Sequence, residues 1–298
     1  MSASLADHEF ALCLTHDVDR VYKTFQAPYY AVTERDPSHL RSLVTGERPY
    51  WQFEELMALE DDLGVRSSFY VLNEKSFLRE KSPRAWLRPE NWKLFAGRYD
   101  PTDPELVDAF RTLERGGWEV GLHGSYDSAD DRDRLRYEKR ALEEVLDGPV
   151  VGGRQHYLNL VAPRTWEHHR AIGLRYDASY GSSTRYGFDG RYGVIRPFDD
   201  EFVVFPLTLM ERALLPWAPS LEWAWRECRR LLEEAHEHDA VMTVLWHPRY
   251  MNEDEFPGYR TLYERLIREA RAMGAWIGPC GECYELLERR REASSSQR

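Results

Sequence analysis

The sequence predicts an α/β fold built as one barrel of about seven strand–helix units. Strand-like apolar segments alternate regularly with segments that have the apolar spacing of helices. This order is typical of a parallel sheet covered by helices. The chain has 298 residues, of which 42% are hydrophobic, and this is enough for one sizeable core. A single barrel accounts for so many alternating units better than two separate domains.

Glycines and polar residues mark the ends of the predicted elements. Gly64 follows a helical apolar spacing, and Asp103 stands where the helix that begins at Pro104 needs an N-cap. In chain order, we predict strands at 10–15, 65–72, 118–122, 150–157, 174–180, 194–198, 202–207, 240–246 and 275–277. We predict helices at 53–63, 104–113, 130–146, 165–172, 220–238 and 259–273.

The predicted barrel domain covers residues 1–291, with insertions at about 20–50 and 75–100, and a serine-rich tail at 292–298 is expected to be disordered. Both insertions contain aromatic residues, namely Tyr22, Tyr29, Tyr30, Trp86, Trp92, Phe95 and Tyr99. Such rings either stack on sugars at the barrel mouth or pack on the barrel to bury area, and the sequence leaves both alternatives open.

The charge and hydropathy of the chain exclude several classes of protein. A formal net charge of −11 disfavours nucleic acid and anionic membrane surfaces as general partners. The mean hydropathy is −0.64, and no apolar run approaches the ~20 residues of a membrane-spanning helix. The first ten residues include Asp7, His8 and Glu9 and do not resemble a secretory signal. We therefore expect a cytoplasmic protein.

Four cysteines give no sign of a disulfide framework. Cys13 lies in an apolar stretch and is expected to be buried, and Cys228 lies in a helical pattern. Cys280 and Cys283 form a single C-x-x-C motif near a helix start. A structural zinc site needs two further ligands, and none lies nearby in the sequence, so we interpret the pair as incidental thiols.

Polar clusters follow the ends of several predicted strands. Thr15 to Asp19 ends the first strand, and His123 to Asp127 ends the third. Arg154 to Tyr157, Asp177 and His247 end later strands. Because the working residues of such barrels lie at the carboxyl ends of the strands, these clusters predict a functional site.

Asp17 and Asp19 are two residues apart, so both carboxylates point the same way along an extended chain. Two adjacent carboxylates repel unless a cation neutralises them or one stays protonated. Histidines at neighbouring strand ends favour the cation, because imidazole and carboxylate form a usual ligand set for Zn²⁺. His16, which lies between Thr15 and Asp17 in the sequence, should point away from the metal and pack instead.

These motifs resemble the polysaccharide deacetylase superfamily (carbohydrate esterase family 4), whose fold is a distorted barrel of about seven strands. Thr15-His16-Asp17-Val18-Asp19 is similar to the first family motif, and His123 with Ser125 and Tyr126 to the second. Arg154, Asp177 and Leu245-Trp246-His247 are similar to the third, fourth and fifth motifs. All five occur in the family's order, from about residue 12 to residue 280.

The resemblance implies a role for each matched residue. Asp17 would be the general base, and Arg154 would pair with it and hold it ionised. Asp19 and His123 would bind a divalent transition metal, with Zn²⁺ the first expectation. His247 would be the general acid, and Asp177 would hold its imidazole. The implied activity is hydrolysis of an N-acyl group, acetyl in the first instance, from an amino sugar in a glycan.

One departure from the family pattern leaves the third metal ligand open. The second family motif ends in a histidine, whereas this chain has Asp127 at that position. Asp127 could ligate through its carboxylate, or His156, two residues after Arg154, could supply the missing imidazole. We favour His156, because it keeps two imidazoles among the ligands.

Three other functions remain compatible with the sequence. A related C–N hydrolase acting on a cyclic ureide would use the same scaffold. A glycosidase would need two carboxylates on either side of the bond and no metal. A non-catalytic carbohydrate-binding relative would bind sugar without turnover, and the loss of the second-motif histidine keeps this alternative open.

Overall fold

Parallel strands form the centre of the molecule. The computed structural model describes residues 8–24, 26–74, 82–88, 91–92 and 97–296, and within them nine strands make one sheet. The strands are β1 Ala11–Val18, β2 Ser68–Leu72, β3 Glu119–Gly124, β4 Gly152–Gln155, β5 Tyr176–Asp177, β6 Val203–Val204, β7 Leu207–Met210, β8 Val241–Leu245 and β9 Trp276–Gly278. Their order is β6-β5-β4-β3-β2-β1-β8-β7, and β9 pairs with the start of β1. All these pairings are parallel, which confirms the predicted α/β class.

The sheet curls so that its two edges approach each other. The edge strands β6 and β7 are separated in the chain only by Phe205 and Pro206. The backbone N–H of Leu207 donates to the carbonyl oxygen of Tyr180, just beyond β5, at 2.8 Å. The result is the distorted barrel that the sequence predicted.

The region between β5 and β8 differs from the prediction. The predicted strand at 202–207 is divided at Pro206, whose nitrogen has no hydrogen to donate to a ladder. Its second part continues as β7 to Met210. The predicted strand at 194–198 is absent from the described residues, where only Ile195 forms an antiparallel bridge, to Val204.

Helices cover the outside of this sheet. They are α1 Gln26–Thr33, α2 Arg41–Thr45, α3 Phe53–Leu63, α4 Pro83–Trp86, α5 Pro104–Arg115, α6 Arg132–Leu146, α7 Arg164–Ala171, α8 Glu211–Leu214, α9 Leu221–Glu237, α10 Tyr259–Ala272 and α11 Cys280–Ser296. Short 3₁₀ turns lie at Pro37–Leu40, Tyr126–Ser128, His156–Leu158, Leu215–Trp217 and Pro248–Met251. The six predicted helices are present, with ends within two residues of those predicted.

Helix ends follow local chemistry, with one exception to the prediction. Ser220 caps α9 by accepting a hydrogen bond from the backbone N–H of Trp223 at 3.1 Å. Asp103 occupies the N-cap position of α5, as predicted, but its side chain makes no capping hydrogen bond. Pro104 starts this helix instead, because its backbone angle suits the first helical position. At the other end of the chain, 292–296, predicted as tail, continues α11.

The core lies between the sheet and the helices. All eight residues of β1 are buried, as expected for a parallel strand covered on both faces. The four cysteines are buried and unpaired, and Cys280 begins α11. Within the described residues, no helix is both long and apolar enough to cross a membrane.

Candidate active site

Three potential metal ligands converge at the carboxyl ends of neighbouring strands. Asp19 follows β1, His123 lies in β3, and His156 follows β4. One ligand atom from each residue lies within 4.8 Å of the others. His123 Nε2 is 3.1 Å from Asp19 Oδ1, and His156 Nε2 is 3.6 Å from the same oxygen. We refer to Asp19, His123 and His156 as the ligand cluster.

The tautomer of His123 is fixed by a backbone contact. Its Nδ1–H donates to the carbonyl oxygen of Arg154 at 2.9 Å, because a carbonyl oxygen only accepts. In the neutral ring the lone pair then lies on Nε2, which faces the carboxylate of Asp19. Burial alone would lower the pKa of His123, but the charges of Asp17 and Asp19 outweigh it and raise that pKa. The pair therefore requires a proton or a cation between its two facing atoms.

His156 reaches the cluster from a turn with unusual backbone angles. Tyr157 and Leu158 have φ values of 59° and 54°, the left-handed region that non-glycine residues rarely adopt. Such strain is typical of functional sites, and here it holds the imidazole of His156 in a buried position. Burial, followed by the charge of Arg98, lowers the pKa of His156 well below its ordinary value. The ring is therefore neutral, as a metal ligand must be.

An ion pair borders this cluster. Arg98 Nε donates to Glu74 Oε2 at 2.6 Å, and both side chains are buried. Arg98 Nη2 lies 3.3 Å from His156 Nε2, and its Nη1 lies 3.3 Å from the carbonyl oxygen of Asp19. One carboxylate and two imidazoles form a donor set that suits a divalent transition metal such as Zn²⁺.

Asp17 lies beside the ligand cluster but is held by a different partner. Arg154 Nη1 donates to Asp17 Oδ1 at 2.8 Å and contacts Thr15 Oγ1 at 2.9 Å. Arg154 Nε donates to the carbonyl oxygen of Ala178, so the fully buried guanidinium is fixed in place. Asp17 Oδ2 is 3.8 Å from His123 Nε2. The contact predicted between Arg154 and Asp17 is therefore present.

His247 faces the cluster from the end of β8. Its Nδ1–H donates to Glu211 Oε1 at 2.7 Å, and its Nε2 lies 3.6 Å from Asp19 Oδ2. Burial would lower the pKa of His247, but the carboxylate of Glu211 outweighs it and raises that pKa. Glu211 is completely buried and follows β7 directly, so it is a site residue that the sequence analysis missed.

Asp177 does not hold the imidazole of His247, and that prediction is wrong. Its carboxylate accepts hydrogen bonds from Trp166 Nε1 and Ser179, and it lies 3.2 Å from His169 Nδ1. The strand order explains the difference. Asp177 ends β5, which does not pair with β8, whereas Glu211 follows β7, the hydrogen-bonded neighbour of β8.

Solved structures with a similar fold were compared with the chain. A protein from Mycobacterium smegmatis assigned as a polysaccharide deacetylase has a TM-score of 0.63, with 19% identity over 96% of this chain and 92% of its own. The chain has the polysaccharide deacetylase fold. The chitin deacetylase of the fungus Colletotrichum lindemuthianum aligns with a TM-score of 0.52, with 14% identity over 94% and 89% of the two chains.

The same fold also occurs in an enzyme with another substrate. The allantoinase PuuE aligns with a TM-score of 0.61, with 12% identity over 96% of this chain and 94% of its own. No protein-family model matches the sequence, and a search of curated proteins with the sequence found no match. At these identities the structural likeness establishes the fold, and the activity has to be argued from the site.

Within this deacetylase fold, the position of the missing second-motif histidine is occupied by a peripheral carboxylate. Asp127 lies on the 3₁₀ turn after β3, its side chain is 37% exposed, and it is 4.0 Å from Arg134 Nη1. Among the described residues the ligand cluster contains His156 and not Asp127. Of the two alternatives for the third ligand, the geometry therefore supports His156.

The pocket above the cluster has an aromatic and basic lining. Tyr29, Tyr30 and Tyr157 line it, so two of the predicted aromatic residues do reach the site. Tyr22 instead stacks on Trp51, and Tyr99 is buried, with its hydroxyl donating to the carbonyl oxygen of Val18. Trp92 Nε1 donates to the carbonyl oxygen of Trp86, and Phe95 lies outside the described residues.

His16 packs away from the ligand cluster, as predicted. Its Nδ1–H donates to the carbonyl oxygen of Trp246 at 2.5 Å, and its Nε2 lies 2.9 Å from Glu60 Oε1. His16 precedes Asp17, and Trp246 precedes His247. This imidazole therefore links the backbones of two strands that carry site residues.

Proposed function

We propose that this protein is a metal-dependent hydrolase that removes an N-acyl group, acetyl in the first instance, from an amino sugar in a glycan, an oligosaccharide or a glycolipid. One observation carries the proposal. Asp17, Asp19, His156 and His247 line a single pocket, so the ligand cluster lies beside two polar pairs, Asp17 with Arg154 and His247 with Glu211. Amide hydrolysis needs these three functions side by side.

The ligand cluster would hold the metal through Asp19, His123 and His156. When bound, a divalent metal polarises the amide carbonyl and makes a bound water more acidic. Each imidazole can take this role, because the Nδ1–H contact of His123 leaves the lone pair of the neutral ring on Nε2, and burial lowers the pKa of His156. Zn²⁺ is our first expectation for its identity, since it accepts three protein ligands and leaves one position open.

Asp17 would act as the general base. Its carboxylate would accept a proton from the attacking water, while the buried guanidinium of Arg154 holds Oδ1 in place. Asp17 lies next to the cluster without belonging to it, so it is free to accept that proton.

His247 would act as the general acid. Glu211 accepts the Nδ1–H of His247, and this contact directs Nε2 toward the pocket. From Nε2 the imidazole donates a proton to the amine nitrogen as the C–N bond breaks. Glu211 fixes the ring orientation and stabilises the charged imidazole, as the buried carboxylate does in other acid–base triads.

The contacts of the two aspartates favour an amide hydrolase over a glycosidase. A glycosidase needs one carboxyl group that stays protonated to act as its acid. Asp17 accepts a hydrogen bond from the guanidinium of Arg154. Burial would raise the pKa of Asp19, but the histidines around it outweigh burial and lower that pKa well below its ordinary value, so Asp19 does not supply the protonated group.

Acetate release tests this proposal. We expect the purified protein to release acetate from N-acetylglucosamine oligosaccharides, to lose this activity on chelation and to regain it with added Zn²⁺. Hydrolysis of allantoin instead of the sugars would change the substrate to a cyclic ureide. Sugar binding that is insensitive to chelation, without turnover, would show that the protein is a non-catalytic binding relative.

The Asp17→Asn variant separates the base from the metal. Because Asp17 is not a member of the ligand cluster, the variant should keep its metal while kcat falls by about 100-fold or more. Elemental analysis and acetate release are measured on the same preparation. A variant that hydrolyses as fast as the wild type would show that Asp17 is not the base.

A further inference from the structure

Three arginines line one side of the pocket, and together they indicate a negatively charged ligand. Arg20, Arg212 and Arg249 belong to the pocket lining together with Asp17, Asp19 and His247. Each arginine follows a site residue in the chain. Arg20 comes directly after Asp19, Arg212 comes directly after Glu211, and Arg249 comes two residues after His247. We call these three residues the basic wall.

The sheet explains why the arginines lie on one side. They follow β1, β7 and β8, which are neighbours in the order β1-β8-β7. The imidazole ligands and Tyr157 come from β3 and β4, on the other side of β1. Relative to β1, which carries Asp19, the two imidazole ligands therefore come from one side of the sheet, and Arg212 and Arg249 come from the other.

The composition of the chain makes this positive surface unexpected. The sequence has 51 Asp and Glu against 40 Lys and Arg, so carboxylates are in excess. Other buried cations near the site have acidic partners, as Arg98 has Glu74 and Lys23 has Glu255. Among the described residues, neither Arg212 nor Arg249 forms an ion pair with a carboxylate. Although the chain as a whole is acidic, these two guanidinium groups lie beside the site without a carboxylate partner among the described residues. They can therefore bind an anionic ligand from solution.

Buried polar atoms of the lining point to the same conclusion. Arg249 Nη2 donates to the hydroxyl of Tyr250 at 2.7 Å, but its buried Nε has no acceptor in the part of the chain described. Gln26 also lines the pocket, and its buried Oε1 has no donor there. An unpaired buried polar atom is costly, and a ligand that carries both an oxyanion and hydroxyl groups would supply both partners.

We propose that the substrate is an acidic amino sugar, in which a carboxylate or phosphate on the glycan binds the basic wall while the N-acyl group lies at the ligand cluster. This inference rests on the proposed function and specifies its substrate class. Guanidinium groups suit both oxyanions, because their planar donors bind two oxygens at once. The tyrosines of the lining provide faces for the sugar ring.

Calorimetric binding to the metal-loaded protein tests the proposal with three probes. They are N-acetylglucosamine, N-acetylglucosamine 6-phosphate and N-acetylmuramic acid, which differ in whether they carry no charge, a phosphate or a carboxylate. We expect one or both charged sugars to bind roughly tenfold or more tightly than the neutral one, since a charge-assisted contact contributes about this much. Whichever charged sugar binds more tightly identifies the anion. Added salt should weaken the binding of the charged sugars only.

Arginine variants assign this preference to the basic wall. Arg212→Gln and Arg249→Gln should each reduce the preference for the charged sugar several-fold. Arg212 is exposed, so its substitution does not threaten folding. Arg226→Gln removes the same charge from an exposed position of α9 outside the pocket lining and should leave the preference unchanged.

The outcomes separate this inference from the proposed function. Equal affinities for charged and neutral sugars, or equal effects of Arg212→Gln and Arg226→Gln, would overturn the inference, even if acetate is released from neutral sugars. Arginine-dependent binding of a charged sugar, with no acetate released from any probe, would support the anion site and contradict the deacetylase proposal.

Discussion

Glu211 lies against Nδ1 of His247, in the place that the family resemblance gave to Asp177. The two carboxylates are both completely buried, but they serve different partners. Asp177 accepts from Trp166 and Ser179 near β5, and these contacts tie α7 to the sheet. Substitution of each carboxylate should therefore have a different consequence.

We expect Glu211→Gln to lower kcat by about 100-fold while the metal content stays that of the wild type. The amide can still contact the ring, but it no longer stabilises the charged imidazole. Asp177→Asn is the matched comparison and should lower the melting temperature more than it lowers kcat. The opposite pattern, with kcat sensitive to Asp177 and not to Glu211, would restore the role predicted from the sequence.

His156, and not Asp127, lies with Asp19 and His123 in the ligand cluster of the described residues. In the motif that the sequence resembles, both histidine ligands follow the same strand, which here is β3. His156 follows β4, the neighbour of β3, so its imidazole also reaches Asp19 and His123. The position of His156, two residues after Arg154, predicts that its side chain faces the site. The left-handed turn at Tyr157 and Leu158, which makes it geometrically workable, has no signal in the sequence.

At the scale of elements, Glu60 connects α3 to the strands that carry the site. Its buried carboxylate accepts hydrogen bonds from Ser67 Oγ, Trp118 Nε1 at 2.6 Å and Tyr263 OH at 2.7 Å. It also lies 2.9 Å from Nε2 of His16. One side chain on α3 thus joins β1 to α10 and to the residues that flank β2 and β3.

Glu60→Gln should lower the free energy of unfolding by about 3 kcal/mol, because the amide presents its NH₂ group to donors that need an acceptor. Chemical denaturation measures the change. Glu55→Gln, on the exposed face of the same helix, is the control and should be nearly neutral. Equal stabilities of the two variants would show that the Glu60 network does not support the fold.

At the scale of the whole molecule, the end of the barrel opposite the site contains a half-buried carboxylate with several hydrogen-bond donors around it. Glu119, the first residue of β3, accepts hydrogen bonds from Ser68 Oγ at 2.6 Å, Tyr176 OH at 2.7 Å and the backbone N–H of Gly281 at 2.8 Å. Burial raises its pKa above the ordinary value of 4.5, although these hydrogen bonds act in the opposite direction.

This raised pKa predicts a pH dependence of stability. The folded protein holds the proton of Glu119 more tightly than the unfolded chain, so stability is lost as pH rises from 4.5 through the folded pKa. Glu119→Gln is neutral at every pH and does not suffer this loss. Its melting temperature relative to the wild type should therefore increase between about pH 5 and about pH 8. A difference that is independent of pH, as expected for the control Glu55→Gln, would contradict this assignment.

The alternation of strands and helices made the fold predictable, because each buried parallel strand reads as an apolar run and each helix ends at a recognisable stop. The strand-end rule also located Asp17, Asp19, His123, Arg154 and His247 at one edge of the sheet. The sequence does not predict a role for Glu211, because its pattern predicts a strand that ends at residue 207. In the structure β7 continues to Met210, so Glu211 lies at the end of this strand. Strand order decides which carboxylate contacts His247, and strand order is a property of tertiary structure. The sequence alone therefore could not show that Glu211, and not Asp177, contacts this imidazole.

The metal content of the wild type and of two variants tests whether the ligand cluster binds a metal. We predict about one divalent metal per chain in the wild type and in Asp127→Ala, and loss of that metal in His156→Ala, because only His156 belongs to the ligand cluster. Elemental analysis after incubation with Zn²⁺ and gel filtration gives the answer without reference to substrate. Metal that is retained in His156→Ala and lost in Asp127→Ala, or absent from the wild type, would contradict the account.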